Sequence, residues 1–128
     1  MRDVSVKTEP SGKFTQTVEA GPVRFVADEP VADGGGDLGP SPFDLLLSSL
    51  GACTSMTVKM VADRRGWPLE SVEVRLSATR GEAFAIRREV TLVGPLTEEQ
   101  RAALLAIANK CPVHRTLSGP ITIETALA

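Results

Sequence analysis

An alternation of apolar and polar residues predicts β-strands at both ends and in the middle of the chain. The alternation has the period of two that is typical of half-buried strands. It runs through the segments 3–8, 13–19, 22–28, 71–80, 84–93 and 121–127. Turn-forming Pro, Gly and Ser residues separate the first three segments from one another. A Gly lies between the fourth and the fifth segments. We therefore expect an antiparallel meander, then a hairpin, and one last strand.

One long helix is predicted over residues 42–65. Ser41 and Asp44 form the sequence pattern of a capping box, and Pro42 is typical of a first helical position. Gly66 belongs to the residue type that most often follows the last helical turn. Both ends of this helix are therefore marked in the sequence.

The long helix is apolar on nearly every side. One stripe carries Leu46, Leu50, Cys53 and Thr57, and the opposite flank carries Leu45, Ala52, Met56 and Met60. A helix that is apolar nearly all round is a buried helix, and a chain of 128 residues is too short to cover it alone. We therefore expect an obligate homodimer built around this helix.

Two shorter helices are expected after the hairpin. Thr97 and Gln100 form a second capping box, and Cys111 followed by Pro112 begins a short last helix. The element order is then βββα-ββ-αα-β, with strands grouped rather than alternating with helices. This order predicts an α+β fold with antiparallel sheets, in a single domain over residues 1–128.

The composition excludes several classes of function. Hydrophobic residues make up 42% of the chain and charged residues 23%, as in ordinary soluble proteins. The net charge of −2 offers no basic surface for nucleic acid. The longest uncharged run, Leu45–Val58, is too short to span a bilayer, and residues 1–10 lack the apolar core of a secretion signal. We expect a cytoplasmic protein that binds neither nucleic acid nor a membrane.

The two cysteines are the first candidates for chemistry. Cysteines in a reducing compartment are more often catalytic, metal-binding or simply buried than joined in a disulfide. Cys111 occupies a predicted N-cap position, where backbone N–H groups lower the pKa of a thiol. Cys53 lies in the middle of the long helix, where burial alone raises the pKa. Cys53 therefore needs a cation or a hydrogen-bond donor to become reactive. The candidates are Arg88, Arg24, Lys13 and His114.

Interpretations without redox chemistry stay open at this point. Both cysteines could be inert, because free cysteines often pack as small apolar residues. A zinc site made of Cys53, Cys111 and His114 would lack the paired-ligand spacing of such sites, so we expect no metal. Arg88 falls on the apolar face of its strand. We favour an edge position from which its side chain extends to solvent, the alternative being a cation aimed at a buried group.

Two segments together carry a resemblance to a known family. GPSPFDLLLSSLGACTSMTVKMVADRRGWPL, followed by CPVHRTLSG, resembles the OsmC/Ohr family of osmotically induced and organic hydroperoxide resistance proteins. The resemblance is strongest to the short OsmC-like branch described as redox proteins, and it extends over nearly the whole chain. It implies an intertwined homodimer with the two long helices packed centrally and the sheets outside.

The resemblance also implies a cysteine-based peroxidase for organic hydroperoxides. Cys53 would be the peroxidatic cysteine and Cys111 the resolving cysteine, with no cofactor and with an external dithiol, such as a lipoyl group, as the reductant. In the family a Glu directly after the helix-opening Pro pairs with an Arg from the N-terminal meander. Here Phe43 stands at the Glu position, Asp44 follows it, and Lys13 lies near the place of the Arg.

We therefore expect thiol-dependent reduction of organic hydroperoxides. The alternative is a non-catalytic protein that binds a small apolar ligand in the dimer cleft or senses the thiol redox state. The missing Arg–Glu pair favours this alternative, and the presence of both cysteines favours the enzyme.

Overall fold

The computed structural model describes all 128 residues and shows an α+β protein with two antiparallel sheets. A short 3₁₀ helix covers Val31–Asp33, ahead of the long helix. The other elements are β1 (Val4–Thr8), β2 (Gln16–Ala20), β3 (Val23–Ala27), α1 (Pro42–Arg65), β4 (Ser71–Arg80), β5 (Phe84–Val93), α2 (Glu98–Ala108) and α3 (Pro112–Ser118).

The chain forms two compact units, Met1–Leu46 and Leu47–Ala128, and the boundary between them falls inside α1. The expectation of one domain over residues 1–128 stays a prediction.

The first unit contains the predicted meander, in which β1, β2 and β3 pair in antiparallel order. β2 begins at Gln16 rather than at residue 13, because residues 10–14 form a turn that is held by the Glu9 N–H donating to the carbonyl of Thr15 at 2.9 Å. Gly21 takes a positive φ of 59° in the β2–β3 turn, a conformation that glycine adopts without strain. The meander was therefore predicted correctly, with each strand shorter than predicted and β2 changed most.

A buried carboxylate holds the segment that follows β3. Asp28 is 2% exposed, and it accepts hydrogen bonds from the Thr15 hydroxyl at 3.0 Å and from the backbone N–H groups of Glu29 at 2.8 Å and Leu38 at 3.4 Å. Burial raises the pKa of this carboxyl, but these bonds and one from the Gly36 N–H outweigh burial, so the pKa lies below its ordinary value. Asp28 thus ties Thr15, the residue before β2, to Glu29 and Leu38 in the segment that follows β3.

The predicted bounds of α1 are confirmed at both ends. The Ser41 N–H donates to the Asp44 carboxylate at 2.9 Å, and the Asp44 N–H donates to the Ser41 hydroxyl at 3.2 Å, which completes the capping box. After the last turn, Gly66 takes a φ of 67° and the Trp67 N–H donates to the carbonyl of Ala62 at 2.9 Å.

In the second unit, helices and the β4–β5 hairpin enclose one apolar core. Its buried members are Val58, Ala62, Leu69, Leu104 and Ala108. Further along α1, a Cβ on Gly51 would lie 2.8 Å from Leu76 Cδ1, so glycine lets the helix approach strand β4 closely. The second capping box is also confirmed: Thr97 and Gln100 satisfy each other's backbone N–H groups at the start of α2.

One flank of α1 is exposed within the single chain. Met56 is 70% exposed and Met60 45% exposed, and Ala52 beside them is exposed as well. By length and composition α1 is also the one helix that could cross a membrane, a criterion that core helices of soluble proteins meet as well. The apolar surface predicted from the sequence is therefore real, but this chain alone does not cover it.

The predicted last strand is wrong for the single chain. Residues 119–128 form no helix or strand, and Ile121, Ile123 and Leu127 are exposed. A strand needs a neighbouring strand to pair its backbone N–H and C=O groups, and this segment has none in either sheet.

Candidate active site

Two consecutive residues of α1 face different surroundings. Cys53 is half-exposed, whereas Thr54 is completely buried and its hydroxyl donates to the carbonyl of Leu50 at 2.7 Å. Neighbouring helical side chains diverge by about 100°, so one position faces outward while the next faces the unit's interior.

Cys111 lies opposite this part of α1 and is completely buried. It is the N-cap residue of α3, as predicted, and its sulfur accepts the backbone N–H of His114 at 3.3 Å. The Thr54 hydroxyl oxygen lies 3.7 Å from the same sulfur. Both cysteines are free thiols.

Arg88 connects the buried hydroxyl of Thr54 to α2 and α3. Its Nη1 donates to Thr54 Oγ1 at 3.0 Å, and its Nη2 donates to Asn109 Oδ1 at 2.9 Å and lies 3.1 Å from His114 Nδ1. A guanidinium can only donate, so His114 Nδ1 accepts and the ring carries its proton on Nε2. The favoured interpretation of Arg88 as a solvent-directed edge residue was therefore wrong, because its side chain reaches a fully buried hydroxyl.

The surroundings of Cys111 favour its thiolate. Burial raises the pKa of the Cys111 thiol, which is the largest single effect, but four other groups act in the opposite direction. They are the His114 N–H, the Thr54 hydroxyl, the Cys53 thiol and the positive charge of Arg88. Together they hold the pKa of Cys111 below its ordinary value. Because the Cys53 thiol is one of the groups that lower this pKa, the two thiols are neighbours.

Four of the residues predicted for the site lie in this cluster, and three lie in the other unit. Cys53, Cys111, Arg88 and His114 are brought together. Arg24 is ion-paired with Glu19 at 3.8 Å on the meander. The ammonium of Lys13 lies 5.4 Å from the centre of the Phe14 ring, and Asp44 caps α1.

Two residues of the cluster were missed by the sequence analysis. Thr54 is a polar residue inside an apolar helix and directly follows a candidate cysteine, which was the available signal. Asn109 follows the last residue of α2, and nothing in its spacing indicates a contact with β5.

Two concave surfaces flank the cluster. A cavity of about 250 Å³ has Arg88 and His114 at its polar side, with apolar walls that include Leu50, Ile86 and Leu117. A depression of about 410 Å³ lies along the exposed flank of α1, lined by Ser49, Ala52, Cys53, Met56, Thr57, Met60 and Pro112. No group of three or more His, Cys, Asp or Glu side chains is placed to hold a metal ion.

Comparison with known proteins identifies the family. The model of the family described as OsmC-like protein matches residues 34–126, which include α1 with Cys53, the hairpin with Arg88, and α3 with Cys111. The chain belongs to the OsmC-like family. No curated protein matches this OsmC-like chain at a significant level.

Solved structures share the fold of this OsmC-like protein. An OsmC-like protein from Mycoplasma pneumoniae is 21% identical with a TM-score of 0.77, and the match covers 93% of this chain and 88% of that one. The organic hydroperoxide resistance protein OhrB of Bacillus subtilis is 19% identical with a TM-score of 0.66, covering 93% and 91%. An organic hydroperoxide resistance protein OsmC from Legionella pneumophila is 22% identical with a TM-score of 0.65, covering 93% and 90%. At these identities the likeness shows the fold.

Proposed function

We propose that this OsmC-like protein reduces organic hydroperoxides with Cys53 and Cys111. The observation that carries the proposal is the pairing of a half-exposed thiol, Cys53, with a buried neighbour whose thiolate is stabilised. An accessible nucleophile and a second thiolate within reach are what a two-cysteine peroxidase needs. Similar proteins named for organic hydroperoxide resistance support the same chemistry.

The reaction has two steps within the protein. The Cys53 thiolate attacks one oxygen of the peroxide, the O–O bond breaks, and the alcohol leaves after taking up a proton. Cys53 is then a sulfenic acid. The Cys111 thiolate attacks the sulfur of Cys53, a disulfide forms, and the hydroxyl leaves as water with a second proton. An external dithiol returns the disulfide to two thiols and is itself oxidised to a disulfide.

The remaining parts of the proposal come from the sequence. We propose that the protein is a homodimer whose partner covers the exposed flank of α1, that it needs no bound cofactor, and that it works in the cytoplasm. The exposed Met56 and Met60 support the dimer, because monomers rarely expose a continuous apolar surface.

The test follows consumption of cumene hydroperoxide with dihydrolipoamide as the reductant. We expect turnover by the wild type, none by Cys53→Ser, and oxidation without sustained turnover by Cys111→Ser. Ser55→Ala, two residues from Cys53 on α1, is the matched control and should keep the wild-type rate. Equal peroxide consumption by wild type and Cys53→Ser would reject the proposal.

The 250 Å³ cavity beside Arg88 supports a second candidate, which is binding of a small ligand without catalysis. Its lining combines apolar side chains such as Leu50 and Ile86 with the cation Arg88, as in pockets for small amphipathic molecules. Under this alternative, Ile86→Trp would abolish ligand binding, measured by calorimetry with short-chain fatty acids. The peroxidase rate of the wild type would then be no higher than that of Cys53→Ser.

A further inference from the structure

Arg88 is a cation whose direct partners in this chain are all neutral. Its guanidinium donates to the Thr54 hydroxyl at 3.0 Å and to the side-chain oxygen of Asn109 at 2.9 Å, and it lies 3.1 Å from His114 Nδ1. None of these groups is a carboxylate, and Arg88 takes part in no ion pair. Charges that lose part of their hydration are usually paired with an opposite charge. The charge of this half-buried arginine therefore has no anionic side chain in direct contact with it.

The contacts of Arg88 also leave hydrogen-bond donors for a further partner. A guanidinium has five N–H groups, and the three contacts use one hydrogen of Nη1 and both of Nη2. The Nε hydrogen and the second hydrogen of Nη1 remain. Carboxylates and phosphates are the acceptors whose geometry matches a guanidinium. Arg88 is thus equipped to bind an anion.

The cavity of about 250 Å³ beside Arg88 indicates which kind of anion fits. Its lining combines Arg88 and His114 with apolar side chains from three elements, Leu50 on α1, Ile86 on β5 and Leu117 on α3. Arg88 is the one permanently charged side chain in this lining, which matches the single charge of a carboxylate. A small hydrocarbon group attached to the carboxylate can pack against the apolar side chains. The cavity therefore favours a small organic carboxylate.

The cavity lies apart from the surface that we assign to the dimer. The depression along α1 is lined by Cys53, Met56 and Met60 among others, and none of its lining residues lines the cavity. Leu50, which α1 contributes to the cavity, is 4% exposed and does not belong to the exposed flank. A partner chain that covers this flank therefore does not by itself close the cavity.

A short series of contacts leads from the cavity to Cys111. Arg88 Nη1 donates to Thr54 Oγ1 at 3.0 Å, and this oxygen lies 3.7 Å from the Cys111 sulfur. The other titratable groups near the sulfur are the Cys53 thiol on α1 and His114 on α3, whose backbone N–H binds the sulfur and whose ring contacts Arg88. An anion in the cavity and a thiolate at Cys111 would therefore share one cation.

We propose that the cavity binds a small organic carboxylate through Arg88, and that the bound carboxylate decreases the fraction of Cys111 present as thiolate. The binding step rests on the second candidate function above, whereas the link to Cys111 holds with or without peroxidase chemistry. In the proposed peroxidase cycle the same ligand slows the attack of Cys111 on oxidised Cys53, because only the thiolate attacks.

The direction of the effect follows from charge. Burial, the largest influence, raises the pKa of Cys111, and the positive charge of Arg88 is one of the influences that lower it. A carboxylate on Arg88 offsets this positive charge, so the pKa of Cys111 rises when the ligand binds. Coupling between two sites is reciprocal, so the Cys111 thiolate weakens carboxylate binding by the same factor.

Titration of the one remaining thiol in a Cys53→Ser background tests the link. The thiolate absorbance of Cys111 is measured against pH without ligand, with saturating hexanoate, and with hexanamide at the same concentration. Hexanamide has nearly the shape of hexanoate but no charge. We expect hexanoate to move the midpoint to higher pH and hexanamide to leave it in place. An unchanged midpoint with bound hexanoate overturns the proposal, and so does an equal shift with hexanamide.

Two tryptophan variants on one strand locate the binding site. Ile86→Trp fills the cavity from β5, whereas Ala85→Trp changes the preceding residue, which is exposed on the opposite face of the strand. Calorimetry should show hexanoate binding to Ala85→Trp and none to Ile86→Trp. Arg88→Met removes the charge while keeping a long side chain, and it should lose binding as well. Undiminished binding by Ile86→Trp or by Arg88→Met overturns the proposal.

The reciprocal measurement compares two proteins that differ only at Cys111. In the Cys53→Ser background, the Kd of hexanoate should rise as Cys111 ionises, by the factor that corresponds to the shift of its midpoint. In Cys53→Ser/Cys111→Ser this rise should be absent, and an equal rise in both proteins overturns the link. These titrations are made without Cys53, so a failed peroxidase test leaves the inference standing. Hexanoate binding without any effect on Cys111 would instead remove the inference and leave the second candidate function.

Discussion

The hydroxyl oxygen of Thr54 lies 3.7 Å from the sulfur of Cys111, although 57 residues separate them. The same oxygen accepts a hydrogen bond from Arg88 and gives its own hydrogen to the carbonyl of Leu50. A hydroxyl has one hydrogen and two acceptor positions, so Thr54 can accept a hydrogen bond from the Cys111 thiol, or turn its hydrogen from the Leu50 carbonyl to the Cys111 thiolate. Thr54 is therefore the side chain through which the charge of Arg88 is connected to Cys111.

Removing the charge of Arg88 should move the titration of Cys111. In a Cys53→Ser background, which leaves one thiol, we expect Arg88→Met to raise the pH at the midpoint of the Cys111 thiolate absorbance. The sign follows from the attraction between the guanidinium and the thiolate, which lowers the pKa of Cys111 in the parent. Arg87→Met is the matched control, because Arg87 lies next in the strand but points outward to Glu89. If the midpoint stays the same in Arg88→Met, Arg88 does not lower the pKa of Cys111.

The close approach of α1 to β4 at Gly51 should limit the size of the residue there. Gly51→Ala gains roughly 1 kcal/mol of helix propensity and has to displace only the end of the Leu76 side chain, so we expect little net change in stability. Gly51→Ile overpacks the same contact and should cost about 1–3 kcal/mol. Urea denaturation of both variants measures the difference, and equal stability of the two would show that the contact is loose.

The local sequence signals predicted α1, α2 and the β4–β5 hairpin well, because caps, turn residues and alternation act over a few positions. The contact of Arg88 with a buried hydroxyl was not predictable in this way. Its place on an apolar face was visible, but the hydroxyl that it reaches is 34 residues away, on a different element. The role of Arg24 and Lys13 as cations for Cys53 stays a prediction.

The last strand was predicted from alternation alone. Alternation shows which side chains would share a face, but it does not show whether a neighbouring strand pairs with the backbone. The exposed Ile121 and Ile123 follow the pattern, yet no neighbouring strand pairs with their backbone groups. Asp28 shows the opposite case: nothing in the local sequence indicated that a carboxylate would be buried, because three of its partners lie at least eight residues away along the chain.

Asp28 should make the first unit sensitive to acid. Its pKa is lowered in the folded protein, so the carboxylate stabilises the fold at pH values above the ordinary 3.8, and this stabilisation is lost as the pH falls through the lowered value. We expect Asp28→Asn to be less stable than wild type at neutral pH, with the difference shrinking in acid. Asp37→Asn changes an exposed carboxylate in the same segment and serves as the control. The measurement is the denaturation midpoint of wild type and both variants, from neutral pH to below 3.8. If the difference between wild type and Asp28→Asn does not change with pH, the Asp28 carboxylate does not stabilise the fold by its charge.

The exposed flank of α1 should be the dimer interface. Met56 is the most exposed large apolar residue of the helix, at 70%, and it shares the depression with Cys53 and Met60. A lysine at this position would place a charge in a surface that a second copy buries, and burying an unpaired charge costs several kcal/mol. We expect wild type to scatter light with twice the mass of one 13.6 kDa chain and Met56→Lys to scatter as a monomer. Glu82→Gln, in the exposed β4–β5 turn, makes the net charge one unit more positive, as Met56→Lys does, and should leave the dimer intact. A folded wild-type monomer at micromolar concentration would show that this apolar flank is not a dimer interface.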